Sequence, residues 1–121
     1  MSTEIQRHHT NSRMSKIVQH NGLVFLCGQT AVGGGTANAD VTAQTHETLS
    51  RIDALLAEAG SDRTRLLSAV IHLPSMSDFA AMNAVWESWV APGTAPARTT
   101  VEAKLASPNL LVEITVIAAS N

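Results

Sequence analysis

Several residue classes are scarce in this 121-residue chain, and each scarcity removes a class of function. There is no tyrosine, and Phe25, Phe79, Trp86 and Trp89 are not spaced as a base-stacking platform. Charged residues make up only 15% of the chain, the net charge is −2, and no run of Lys or Arg occurs. That balance excludes an electrostatic grip on nucleic acid. Cys27 is the only cysteine, so an intrachain disulfide and a thiolate zinc cluster are excluded. No stretch approaches the ~18 apolar residues of a membrane span, and the opening M-S-T-E-I-Q-R-H-H-T has no apolar export region. A soluble, unexported protein of the reducing cytoplasm is expected. His8, His9, His20, His46 and His72 show no ligand spacing such as H-E-x-x-H, so no metal is expected. The run Gly33 to Gly35 lacks the lysine and helix register of a phosphate loop and reads as a turn.

What remains is a globular chain, 45% hydrophobic and of a length that fits one domain, residues 1–121, with one core. Few charges at this size hint that another subunit covers part of the surface. Lys16 to His20 and Leu23 to Gln29 read as strands joined by the hairpin turn Asn21-Gly22. Asp40 is placed to cap a helix running to about Gly60, with Val41, Leu49, Ile52, Leu55, Leu56 and Ala59 at helical spacing. Leu66 to Leu73 reads as a strand stopped by Pro74. A second helix follows from Ser77 to about Val90, and strands at Thr99 to Leu105 and Leu110 to Ala118 flank a turn at Ser107-Pro108-Asn109. The order β-β-α-β-α-β-β predicts an α+β fold: a mixed sheet of about five strands with both helices packed on one face. The last strand is apolar on both sides apart from Glu113 and Thr115, which suggests oligomerisation through the open sheet face.

Two residues stand out chemically. Arg98 follows Pro96-Ala97, and its guanidinium fork matches a carboxylate at two points. The alternative is a surface arginine lying along a strand end. Glu113 sits mid-strand between Val112 and Ile114, where a buried carboxylate needs a cation, a set of donors or a raised pKa. The alternative is a glutamate on a wet strand face. A final hairpin with Leu105 opposite Leu110 sets Glu113 against Glu102 and leaves Arg98 about 13 Å away at a strand's rise per residue. A bulge, or a subunit boundary, would then be needed to bring the two together. Cys27 has no histidine nearby in sequence, so a small pocket-lining thiol is a commoner outcome than a nucleophile. Trp86 and Trp89, three apart on a helix, read as core or interface.

Gly28-Gln29 after the second strand, D-F-x-x-M-N at Asp78 to Asn83, P-A-R-T-x-V-E at Pro96 to Glu102, and V-E-I at Val112 to Ile114 are together similar to the Rid/YjgF family, also called endoribonuclease L-PSP. The resemblance spans nearly the whole chain. It implies a chorismate-mutase-like fold, a homotrimer with ligand clefts between subunits, and no cofactor. In the deaminating branch it implies that Arg98 holds the carboxylate of an enamine or imine such as 2-aminoacrylate. Glu113 then positions the water that releases ammonia and a 2-oxo acid. Neighbouring substrate-binding positions map to Cys27, Gly28, Asn83 and Thr100. The tyrosine of well-studied deaminases maps to Ile17, a small hydroxyl residue maps to Cys27, and a frequent cysteine maps to Thr100. The pocket so implied is more apolar and lacks a phenol donor.

A cofactor-free imine hydrolase that protects pyridoxal-phosphate enzymes is therefore expected, with a small-molecule enamine, imine or 2-oxo acid as its partner. A non-catalytic binder of small carboxylates is the alternative. The ribonuclease implied by the family's other name fits badly with a net charge of −2.

Overall fold

The computed structural model describes residues 4–121. Its six strands and two helices run in the order β1 (Gln6–Thr10), β2 (Ser15–His20), β3 (Leu23–Leu26), α1 (Val41–Glu58), β4 (Leu66–Leu73), α2 (Phe79–Trp89), β5 (Ala97–Glu102) and β6 (Glu113–Ala119). Short 3-10 turns at Arg63–Arg65 and Met76–Asp78 lead into β4 and α2. The strands form one sheet in the order β1-β2-β3-β6-β4-β5. All pairings are antiparallel except β4 with β5.

Local chemistry explains most boundaries. Asn21 and Gly22 both take positive φ (49° and 77°), the conformation that a two-residue hairpin between β2 and β3 demands. The Asp40 side chain accepts the Ala43 N–H at 2.9 Å and starts α1. Gln44, wholly buried on α1, ties two loops to the helix. Its amide nitrogen donates to the carbonyls of Ala39 (3.0 Å) and Asn109 (2.8 Å), and its oxygen accepts the Leu111 N–H at 2.9 Å.

The core lies between the helices and one face of the sheet. Leu49, Ile52 and Leu56 of α1 and Met82, Val85, Trp86 and Trp89 of α2 pack on Ile17, Val24, Leu26, Ala69, Ile71, Leu73, Ile114, Val116 and Ala118. The alternate residues, including Val18, Leu23, Phe25, Val70 and Ile117, point the other way, where no element among the described residues covers them. Leu23, Phe25 and Val101 are 37–40% exposed, unusual for large apolar side chains.

Two expectations are corrected here. The last two strands do not form a hairpin, because β4 lies between β5 and β6. Strand, crossing helix and strand (β4, α2, β5) make a parallel unit, and the chain then passes residues 103–112 around the end of β4 to reach β6. Glu113 therefore faces His72, not Glu102, and Glu102 pairs with Leu73. The sheet also gains β1, whose five residues Q-R-H-H-T are all exposed and carry no apolar alternation to announce a strand.

Candidate functional site

Strand register assigns each candidate residue to a face. Arg98 pairs with Ala69 and Thr100 with Ile71, both core-facing, so Arg98 and Thr100 lie on the helix side at the rim made by edge strand β5. Glu113 pairs with His72, three residues beyond Ala69, and points to the open side. Arg98 and Glu113 thus stand on opposite faces of one sheet. The register shift between β4 and β6 falls at Leu66/Ser68, at the far end from Glu113, and does not bring them together.

On the helix-side rim the Arg98 guanidinium lies over two aromatic rings of α2, 5.9 Å from Phe79 and 5.6 Å from Trp86. Aromatic faces attract the cation while leaving its in-plane donors open. Among the described residues no carboxylate forms a salt bridge with it. Asn83 lies between Phe79 and Trp86 on the same face of α2. Its Oδ1 and the Oγ1 of Thr100 are both buried without a hydrogen-bond partner. Buried polar atoms left unpaired are uncommon, and here two of them accompany an unpaired arginine. The two tryptophans have separate roles. Trp89 is locked into the core by its Nε1–H to Asp53 (3.0 Å), with Arg63 over its ring, whereas Trp86 supports Arg98.

The open-face half is built around Glu113, which is half-buried. A Cβ on Gly28 would stand 2.9 Å from both Cδ and Oε2 of Glu113, so the carboxylate packs directly on the Gly28 backbone. Only glycine leaves room for it there. His72 Nδ1 is 3.8 Å from Glu113 Oε1. Cys27 continues the outward parity of Phe25, and its sulfur accepts the Gln29 amide N–H at 3.2 Å. Burial pushes the Cys27 thiol up from its ordinary value of 9.0, and the charge of Glu113 adds to that, against Lys16 and the Gln29 hydrogen bond. The thiol therefore holds its proton near neutral pH, which is the setting of a pocket wall and not of a nucleophile.

Ile17 stands apart from the other candidates. It is fully buried on the helix side, paired with Leu26, and presents no surface to a ligand. The structure thus gathers Arg98, Asn83 and Thr100 at the rim and Glu113, Gly28 and Cys27 on the open face, and leaves Ile17 in the core. Sequence reasoning missed Phe79 and Trp86 as the support of Arg98, and His72 as the neighbour of Glu113. Seven-residue spacing on α2 was the available signal for the first pair. The outward parity of His72 between Ile71 and Leu73 was the signal for the second.

A mixed six-stranded sheet with two helices on one side, a bare opposite face and polar groups gathered on both sides defines a recognisable class of small α+β protein. A family model described as endoribonuclease L-PSP matches residues 4–120. A RutC family protein of Haemophilus ducreyi is 39% identical over 117 residues, covering 97% of this chain and 97% of that protein. The RutC family protein YoaB of Escherichia coli is 41% identical over 115 residues, 95% of this chain and 97% of its own. The crystal structure of a YjgF family member from Neisseria meningitidis has a TM-score of 0.90 at 45% identity, covering 98% of this chain and 97% of that one. The chain belongs to the endoribonuclease L-PSP (YjgF/RutC) family. No helix among its described residues is long and apolar enough to cross a membrane.

Proposed function

We propose that this protein hydrolyses reactive enamines and imines of the 2-aminoacrylate type to 2-oxo acids and ammonia. It acts without a cofactor, as a homotrimer whose clefts lie between subunits. Arg98 of one subunit holds the substrate carboxylate, and Glu113 of the next holds the attacking water. The observation that carries this reading is the placement of an unpaired guanidinium and a glycine-backed carboxylate on opposite faces of one sheet. Two such half-sites on one chain complete each other only when a second copy brings its rim against the open face. The exposed apolar residues Leu23, Phe25 and Val101 on that face supply a reason to associate.

The chemistry asked of the site is modest. An enamine first takes its imine form, whose carbon accepts water unaided. Fixing the substrate by its carboxylate and the water by Glu113 turns an encounter into an aligned attack, and orientation is the main gain. Asn83 and Thr100, with unmet hydrogen-bonding capacity beside Arg98, complete the polar wall that receives the carboxylate or the imine nitrogen.

The test follows the loss of freshly generated 2-aminoacrylate. Wild-type protein should accelerate it, and Arg98→Ala should lose at least about a hundredfold in kcat/KM. No acceleration over buffer by wild type and variant alike overturns the reading. Calorimetric binding of a 2-oxo acid without turnover would instead favour a carrier of small carboxylates. RNase-free protein should leave single-stranded RNA intact.

A further inference from the structure

The open face holds a second functional group beside Glu113, the imidazole of His72. His72 is the register partner of Glu113 on β4, so both side chains point outward from adjacent strands. Its Nδ1 is buried, has no hydrogen-bond partner, and lies 3.8 Å from Glu113 Oε1. The other carboxylate oxygen, Oε2, is the one packed toward Gly28. The two oxygens of Glu113 therefore have different surroundings: Oε1 looks at an imidazole nitrogen and Oε2 looks along the Gly28 backbone. Among the described residues no other carboxylate forms an ion pair with the imidazole. Val101, which flanks His72 on β5, is apolar, Cys27 keeps its proton, and the charge of Lys16 acts on Cys27 from β2.

A neutral imidazole carries one N–H, and the partner it meets decides which nitrogen holds it. A carboxylate 3.8 Å away is outside hydrogen-bond reach, and an approach of about 1 Å would bring it within reach. We propose that His72 is a positioning residue for the hydrolysis, donating its Nδ1–H to Oε1 of Glu113 and leaving Oε2 as the oxygen that aligns the attacking water. A carboxylate tied at one oxygen cannot swing, so the water is held in one direction at the imine carbon. Through Oε2 the two protons of that water pass in turn to the imine N–H, which departs as ammonia. The water oxygen becomes the keto oxygen, and His72 keeps its proton throughout. This inference rests on the imine-hydrolase reading for its chemistry, but the tautomer it requires exists without substrate.

Nitrogen-15 NMR of histidine-labelled wild type, at a pH where the ring is neutral, should show His72 protonated at Nδ1. Glu113→Leu should release that preference. In the hydrolysis assay His72→Phe, which keeps a ring without a donor, should lower kcat about tenfold or more with KM changed less than about twofold. His72→Asn sets an amide N–H near the Nδ1 position and should recover kcat to within about threefold of wild type. A merely structural histidine would not separate Asn from Phe in this way. An Nε2–H tautomer in wild type, a His72→Phe enzyme with unchanged kcat, or a His72→Asn enzyme as slow as His72→Phe would each overturn the proposal. Wild type inert toward imines would instead overturn the hydrolase reading, and the NMR arm would still decide whether His72 and Glu113 are paired.

Discussion

The two faces of this sheet have different chemistry. One is closed by α1 and α2 over Ile17, Val24, Ile71, Ile114 and Val116, each 0–1% exposed. The other presents Leu23 and Phe25 beside Cys27, His72 and Glu113, with no element among the described residues above them. The closed face does what a core must: it removes apolar area from water, worth about 1.5–3 kcal/mol for each large side chain fully buried. The open face mixes apolar and titratable groups, a composition that suits an interface with a cleft in it better than plain solvent.

The largest expected effect comes from forcing the two faces to work in separate chains. Arg98→Ala and Glu113→Gln should each be nearly inactive alone. Refolded together in equal amounts they should recover about a quarter of wild-type activity, since about one neighbouring pair in four then joins an intact Arg98 to an intact Glu113. A mixture as inactive as its parents would falsify the shared site and would return Arg98 and Glu113 to independent roles.

A smaller effect separates core from interface. Ile17→Ala on the closed face should cost about 2–5 kcal/mol of stability in urea melts. Phe25→Asp on the open face should change the stability of the folded chain by about 0.5 kcal/mol or less. By sedimentation it should yield monomers, and the proposed hydrolysis should disappear with the proposed trimer. The opposite pattern, a stable Ile17→Ala monomer and an unfolded Phe25→Asp, would reverse the assignment of the faces.

The smallest effect belongs to neither face and calibrates both. Glu47 of α1 accepts hydrogen bonds from the side chain and backbone N–H of Thr36 and pairs with Arg51, which in turn donates to the Thr30 carbonyl. The Thr36 hydroxyl above all, helped by its N–H and the Arg51 charge, holds the Glu47 carboxyl below its ordinary 4.5, against an opposing effect of burial second only to that hydroxyl. A carboxyl whose folded pKa is depressed adds stability above its unfolded value and loses it as pH falls through the folded one. Glu47→Gln should therefore be less stable than wild type at pH 7. The two should converge in urea melts as the pH drops below about 4.5. A gap that stays constant with pH would remove the carboxylate from that account. Gly34 fits the same cluster, since a Cβ there would stand 1.6 Å from Glu47 Oε2.

Much of this protein was legible before folding. The helices over residues 41–58 and 79–89 follow from apolar spacing and from the capping Asp40, and the hairpin follows from Asn21-Gly22. Glu113 was visible as a carboxylate at a costly place in an apolar strand, Arg98 as a guanidinium fork behind Pro96-Ala97, and the P-A-R and V-E-I segments pointed to the family. Strand β1 was not legible, because Q-R-H-H-T offers only backbone hydrogen bonds to the sheet and no apolar face. The pairing of the last strands was misread because proximity in sequence favours a hairpin, whereas the helix between β4 and β5 commits those two strands to lie parallel and adjacent.

By itself, then, the sequence determined which residues prefer helix, strand or turn, and which side chains could carry charge chemistry, because those properties are local. Only the tertiary structure decided that β4 separates β5 from β6. From that order and its registers follow the opposite facings of Arg98 and Glu113 and the meeting of Glu113 with His72. Strand register is set by non-local pairing, and a shift of one residue turns every side chain to the other face. Local propensity carries no information about that choice.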